Sequence, residues 1–257
     1  FLWGINLKTS FVVGQIVGYT LSKYYGCKYC SEIGRNQQAK ALVLMIVIAE
    51  AALLGFALLP GNLKVLAIFI NGLPLGMVWG LVSRYLEGRK TAELLFAGLS
   101  CSYIVASSSV KTLGGWVMQA GVTEFWMPAT VGAVFFIPFV IAVFFLNQLP
   151  EPSTADISSR SERTVMDSGS RSTFFRQFMG GMIMLLILYF FLTAYRDVRD
   201  MYMKEVFIAM KYPFDASLFI KSDLLSGVGI MVVMALLNLA KDHRRGLIAV
   251  FCVMMGG

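Results

Sequence analysis

Long apolar runs, separated by short polar segments, fill most of the chain. Several of the runs approach or exceed the roughly 20 apolar residues that a helix needs to cross a bilayer core. The pattern predicts seven spanning helices and the start of an eighth after Arg245. The predicted spans are approximately 2–22, 39–59, 62–85, 92–118, 126–146, 178–194 and 216–240.

The longest polar segment, residues 149–176, divides the runs into two arrays. It is rich in Ser, Thr, Pro and charged residues. Such a segment buries too little apolar surface to offset the entropy lost on ordering, so we expect a flexible linker. The predicted organisation is an N-terminal helical half at 1–148, a linker at 149–176 and the start of a C-terminal half at 177–257.

The composition narrows the class of protein. Hydrophobic residues make up 57% of the chain and charged residues 14%, against roughly 25% charged residues in soluble domains. The net charge of +7 does not indicate nucleic acid, because most Lys and Arg lie between the apolar runs, where they set membrane orientation. The sequence predicts an all-α, polytopic transmembrane bundle in a lipid bilayer, with residues 149–176 in the cytoplasm.

Glycines recur at four-residue spacing in two of the predicted spans. Gly14 and Gly18 lie in the first span, and Gly72, Gly76 and Gly80 lie in the third. This spacing lets membrane helices approach closely. A weaker pattern pairs Lys8 and Gly14 with Lys221 and Gly227 at equal separation, which favours two parallel halves related by an axis along the membrane normal.

The segment from Gly18 to Lys28, GYTLSKYYGCK, resembles the glycine-and-basic signature between the second and third helices of major facilitator transporters. With RYLEGRKTAELLFAGLS and YRDVRD, the chain is similar to an uncharacterised bacterial family of major-facilitator-like membrane proteins. The resemblance implies helices two to eight and part of nine, in a bacterial inner membrane, with a peripheral, lipid-facing fifth span. It implies gating roles for Gly18, Ser22, Lys23, Gly26 and Lys28, although Ser22 stands where the signature has Asp.

Glu50 is the clearest candidate for chemistry. It lies about midway along the apolar run MIVIAEAALLGFALL, and an ionisable group at such a position indicates function. Burial of an isolated carboxylate favours its protonation near neutral pH, which predicts a proton-coupling site. The alternative is a structural carboxyl group that bonds to a neighbouring helix.

Basic residues form a second candidate group, which we assign to the outer ends of their spans: Lys8, Lys111, Arg196, Arg199 and Lys221. The resemblance implies that their helices line a central cavity, where converging cations would suit an organic or phosphorylated anion. Alternatively, they mark the water interface or pair with Asp197, Asp200 and Asp223. These three carboxylates are also candidates for ion coupling.

Arg84 and Glu87, at the inner end of the third span, could meet Lys23 or Lys28 and latch one access state. Ordinary solvated interface charge explains them equally well. Cys27 and Cys30 form a single CxxC without a second pair or a nearby His, so we expect reduced thiols and no metal. No cofactor motif is visible in the sequence.

The sequence therefore predicts a transporter that moves a small solute by alternating access, with an organic or phosphorylated anion as the candidate solute class and protons as a candidate coupling ion. Two other classes stay open. One is a transporter-like sensor or scaffold without transport, which the Ser22 departure permits. The other is an integral-membrane enzyme acting on lipid or glycan headgroups, for which Asp197, Asp200 and Asp223 would be the acid/base candidates; the prediction is that the protein is not an enzyme.

Overall fold

The apolar runs fold into α-helices throughout the computed structural model, which describes residues 7–158, 168–211, 217–237, 246, 248–249 and 251–252. The described helices are α1 (Leu7–Glu32), α2 (Arg35–Leu58), α3 (Leu63–Leu86), α4 (Ala92–Gln119), α5 (Met127–Asn147), α6 (Thr154–Ser158), α7 (Ser168–Ala209) and α8 (Ser217–Leu237).

Five helices in the described ranges are long and apolar enough to cross a membrane: α2, α3, α5, Leu94–Gln119 of α4 and Ser172–Val198 of α7. The prediction of an all-α, multi-pass membrane bundle is confirmed. The sequence also predicts spans at α1 and α8, which are not among these five. Polar residues recur along α1, and α8 contains the apolar segment Asp223–Leu236.

The described helices belong to two compact units. One unit, Arg160–Leu218, contains α7. The other unit combines Phe1–Ser159 with Phe219–Gly257 and contains α1 to α6 and most of α8. The candidate site described below lies within this second, larger unit.

The larger unit is organised around α3. Helix α1 runs parallel to α3, since Gly18 lies against Phe69 and Gly26 against Met77. Helix α2 runs antiparallel to α3, and the side chain of Gln38 donates a hydrogen bond to the carbonyl of Leu81. Helix α5 packs against α2, and α4 forms an antiparallel hairpin with α5.

Two apolar clusters close the ends of the α2–α3–α5 group. Leu42, Leu81, Tyr85 and Val143 pack together at one end. Phe56, with Ala67 and Ile68 of α3, forms the other cluster. Between the two clusters, the side chains leave a cavity, which is described in the next subsection.

The turns follow the residues that punctuate the sequence. Pro60-Gly61 separates α2 from α3, and Gly61 has a φ of 48°, a conformation that favours glycine. Beyond α5, the side chains of Arg35 and Arg89 donate hydrogen bonds to the carbonyls of Leu149 and Pro150. These contacts fix the start of the polar segment 149–176 against the bundle.

Asp156 completes this junction. Its carboxylate accepts hydrogen bonds from the backbone N–H of Lys90 at 2.8 Å and from the backbone N–H of Ser153 at 2.9 Å. The Ser153 hydroxyl also donates to it, at 2.8 Å. These bonds, that of Lys90 first, lower the pKa of Asp156 to about 2. The described part of the segment after α5 is therefore ordered by specific hydrogen bonds, where the sequence predicts a flexible linker.

Helix α7 also differs from the prediction. It spans 42 residues and begins at Ser168, inside the segment expected to be a linker. No proline lies between Pro152 and Pro213 to interrupt it. Phe174 and Phe178, one turn apart, stack with ring centroids 5.0 Å apart and support the early turns. The described part of the polar segment is thus partly helical.

Candidate functional site

A cavity of about 530 Å³ lies among α1, α2, α3, α4 and α5. Its lining is mostly apolar, and its polar side chains are two amides and one carboxylate. The lining residues are Gln15, Ile46, Ala49, Glu50, Leu53, Asn71, Leu75, Val110, Met127, Pro128, Val131, Gly132, Phe135, Phe136 and Phe139. An apolar pocket with a few convergent polar groups is typical of a small-molecule site.

The two amides belong to a chain of hydrogen bonds that crosses three helices. Gln15 of α1 donates through Nε2 to Oδ1 of Asn71, at 2.9 Å. Asn71 of α3 donates through Nδ2 to the carbonyl of Ala49 on α2, also at 2.9 Å. Asn71 is only 3% exposed. Because a buried amide is costly without partners, these bonds set the relative height of the three helices at the level of the cavity.

Glu50 presents its carboxylate to the cavity from α2, opposite α5. Gly132 leaves the space that this carboxylate fills, since a Cβ at residue 132 would overlap it. Within the described ranges, no hydrogen bond or ion pair engages the Glu50 carboxylate. Glu50 is also the sole ionisable residue among those that line the cavity. The carboxylate is therefore available to a proton or a ligand.

The signature residues of α1 lie in a tightly packed contact with α3 that we call the glycine seam (Gly14, Gly18, Ser22 and Gly26 of α1 with Gly72, Gly76 and Gly80 of α3). A Cβ at Gly18 would overlap the carbonyl of Phe69, and one at Gly72 the carbonyl of Gln15. Ser22 is 3% exposed, and within the part of the chain that the structure describes its hydroxyl has no hydrogen-bond partner. The predicted close approach of helices is present here.

Within the described ranges, the charged residues near the end of the glycine seam form no ion pairs with one another, as the solvated-charge alternative allows. Arg84 donates a hydrogen bond to the backbone carbonyl of Cys30 on α1. Glu87 is exposed, and no ion pair joins it to Lys23 or Lys28 within the described ranges. Lys23 lies over the ring of Tyr19, 4.6 Å from its centroid. Arg84 thus ties α3 to α1 through the backbone rather than through a carboxylate.

The basic residues predicted to bind an anion are distributed over several helices. Lys8 lies at the exposed start of α1, Lys111 is half-buried on α4, and Lys221 is exposed on α8. None of the three is among the residues that line the Glu50 cavity. Arg196 pairs with Asp197 on α7 at 3.3 Å, and both side chains are solvent-exposed. Arg199 and Asp200 lie in α7, but their side chains are outside the part of the structure that is described.

Asp223 is buried, with 8% of its surface exposed. It lies on α8 one turn before Gly227, where a Cβ would lie 3.1 Å from the side chain of Val105 on α4. The middle of α8 therefore approaches α4. Among the residues that the structure describes, no group of three or more His, Cys, Asp or Glu side chains could hold a metal ion.

The comparison with protein-family models gave a match over residues 1–257 to a family of unknown function (DUF5690). The chain belongs to this family. No curated protein and no solved structure matched the chain. Membership of this family is therefore established, and the resemblance of the segment from Gly18 to Lys28 to major facilitator transporters stays a prediction.

The sequence identified Glu50 but missed the residues that surround it. Gln15 and Asn71 are polar residues in two apolar spans, a signal that was visible in the sequence. Gly132 and the neighbouring phenylalanines lie in a run that looked wholly lipid-facing. Helix α5 does expose Ile137, Phe144 and Phe145, but its opposite face buries Val131 and contributes to the cavity.

Proposed function

We propose that the protein is a secondary-active transporter that binds a small solute in the Glu50 cavity. The observation that carries the proposal is a carboxylate without a protein partner in the described ranges, facing a cavity of about 530 Å³ inside an apolar helical bundle. A charged side chain at such a position is costly in a membrane, so its presence indicates a function. Transport by alternating access would explain both the cavity and the charge.

In this proposal Glu50 is the coupling group. It alternates between a protonated state and a state in which the carboxylate engages solute, so that proton and solute movement are linked. The other lining residues carry no ionisable group that would share this role. The distribution of Lys and Arg supports a plasma-membrane orientation in which residues 149–176 face the cytoplasm.

Uptake into proteoliposomes under an imposed pH gradient tests the proposal. The solute panel includes organic acids, phosphorylated compounds, sugars and amines. We expect wild-type protein to accumulate at least one solute class, with a rate that depends on pH. Glu50→Gln, which keeps the size of the side chain but cannot ionise, is expected to abolish that pH dependence.

Glu124→Gln is the matched control, because Glu124 is exposed in the turn before α5 and does not line the cavity. If wild-type protein moves no member of the panel, the transport proposal is wrong. An unchanged pH profile in Glu50→Gln would remove Glu50 from coupling while leaving transport itself in place.

A further inference from the structure

The chemistry of the cavity wall restricts the kind of solute that it would accept. The lining contains one carboxylate, that of Glu50, and no Lys, Arg or His. A positively charged group can therefore be neutralised inside this cavity, whereas an anion would meet a carboxylate without a compensating cation. The anionic solute predicted from the sequence gains no support from these lining residues.

The polar side chains that line the cavity differ in how much hydrogen-bonding capacity they retain for a ligand. Asn71 uses its oxygen for Gln15 and one of its N–H groups for the carbonyl of Ala49. The two amides thus serve mainly to connect α1, α3 and α2. Glu50, by contrast, has no protein partner within the described ranges, and it is the polar group with the greatest remaining capacity for a ligand.

Aromatic rings border the same space. Phe135, Phe136 and Phe139 of α5 line the cavity together with Glu50. The face of an aromatic ring attracts a cation, and its body offers apolar contact surface. A carboxylate beside phenyl rings is a combination that binds an organic ammonium group attached to an apolar body.

We propose that the cavity binds a small amphipathic organic cation. Its ammonium group pairs with the Glu50 carboxylate, and its apolar body lies against the phenylalanines of α5. The size of the cavity falls within the roughly 300–1,000 Å³ range of small-molecule sites. This inference rests on the proposed function, since it names the solute class of the same site.

Binding of radiolabelled benzyltrimethylammonium to the purified full-length protein in detergent tests the inference. We expect saturable binding that unlabelled benzyltrimethylammonium displaces, and no displacement by the anion phenylacetate at equal concentration. Glu50→Gln should weaken binding about 10- to 100-fold, the loss expected when a charge-assisted contact is removed. Glu124→Gln should bind like the wild type.

Gly132→Ala gives a second variant in case Glu50→Gln does not fold. It keeps every charge but occupies the space of the carboxylate, so it should also weaken binding. Absence of saturable binding, stronger binding of phenylacetate than of the cation, or full affinity in both folded variants would overturn the inference. Cation binding without uptake would instead contradict transport alone, and uptake of only neutral or anionic solutes would contradict the cation assignment alone.

Discussion

The glycine seam and the Glu50 cavity use the same residue type for opposite purposes. In the glycine seam, glycines let α1 and α3 approach until backbone meets backbone, and a Cβ at Gly18 or Gly72 would overlap a main-chain carbonyl. Around the cavity, Gly132 leaves space for the end of a flexible side chain, that of Glu50. The glycines of the seam allow two helix backbones to touch, whereas Gly132 leaves room for a side chain.

An added methyl group would meet a backbone carbonyl at the glycine seam and the Glu50 side chain at the cavity. These two groups differ in how easily they can move. A backbone carbonyl in a packed helix pair cannot move without separating the helices. A glutamate side chain can rotate into a neighbouring cavity at small cost. The same Gly→Ala substitution should therefore have different consequences at the two places. It should lower stability at the glycine seam and ligand binding at the cavity.

The largest effect is expected for Gly18→Ala. The added methyl group would overlap the carbonyl of Phe69 and force α1 away from α3. Overpacking of this kind typically costs about 1–3 kcal/mol, and a backbone obstacle places the cost at the upper end. Reversible unfolding in mixed micelles with increasing SDS would measure the change in the free energy of unfolding.

Gly98→Ala is the matched control for this measurement. Gly98 also lies inside a helix, α4, but a Cβ there would have nothing within 4 Å. Since alanine is a better helix former than glycine, this variant should be as stable as the wild type or more stable. Equal stability of the two variants would show that the glycine seam is not the tight contact described.

A smaller loss of stability is expected for Asn71→Leu. The substitution removes the hydrogen bonds to Gln15 and to the carbonyl of Ala49 while keeping the side-chain size. Because Gln15 would lose its partner, we expect a cost of about 1–2 kcal/mol in the same unfolding experiment. Asn36→Leu, at an exposed position of α2, should change the free energy of unfolding by much less. An unchanged free energy of unfolding in Asn71→Leu would mean that the hydrogen bonds of these amides do not stabilise the helices around the cavity.

Gly132→Ala should change the free energy of unfolding by less than about 1 kcal/mol, because the group that must move is a side chain rather than backbone. The same variant should lose cation binding. Measuring the free energy of unfolding and cation binding on one sample allows a direct comparison of the cavity with the glycine seam. A loss of stability as large as that of Gly18→Ala would remove the distinction between them.

The sequence predicted the glycine seam better than the cavity, for a physical reason. A repeat of glycines four residues apart is a local pattern, and both of its halves, on α1 and α3, are visible in the sequence. The cavity depends on which residue of α5 lies opposite Glu50, and no local pattern encodes that pairing. The apolar run of α5 consequently looked uniform, although Gly132 interrupts its bulky residues at the level of the carboxylate.

The polar segment after α5 shows a second limit of sequence patterns. Its composition predicted flexibility, but Arg35 and Arg89 donate hydrogen bonds to its described backbone, and its own Asp156 accepts one from the backbone N–H of Lys90. Composition does not reveal these tertiary contacts. Likewise, the resemblance assigned Ser22 a gating role, whereas its position against Gly76 also fits simple packing. Long-range neighbours decide between such alternatives, and these are known only once the helices are placed.

The smallest effect is expected for Ser22→Ala. The Ser22 hydroxyl is buried in the glycine seam and has no hydrogen-bond partner among the described residues, so the folded state already bears its desolvation cost. Removing the hydroxyl leaves no group unsatisfied, and we expect a free energy of unfolding within about 0.5 kcal/mol of the wild type or slightly above it. Ser102→Ala, at an exposed position of α4, is the reference. A marked loss of stability would reveal a bond that the hydroxyl makes in the membrane, whereas intact stability with reduced uptake would support the gating role, because only a functional role predicts that combination.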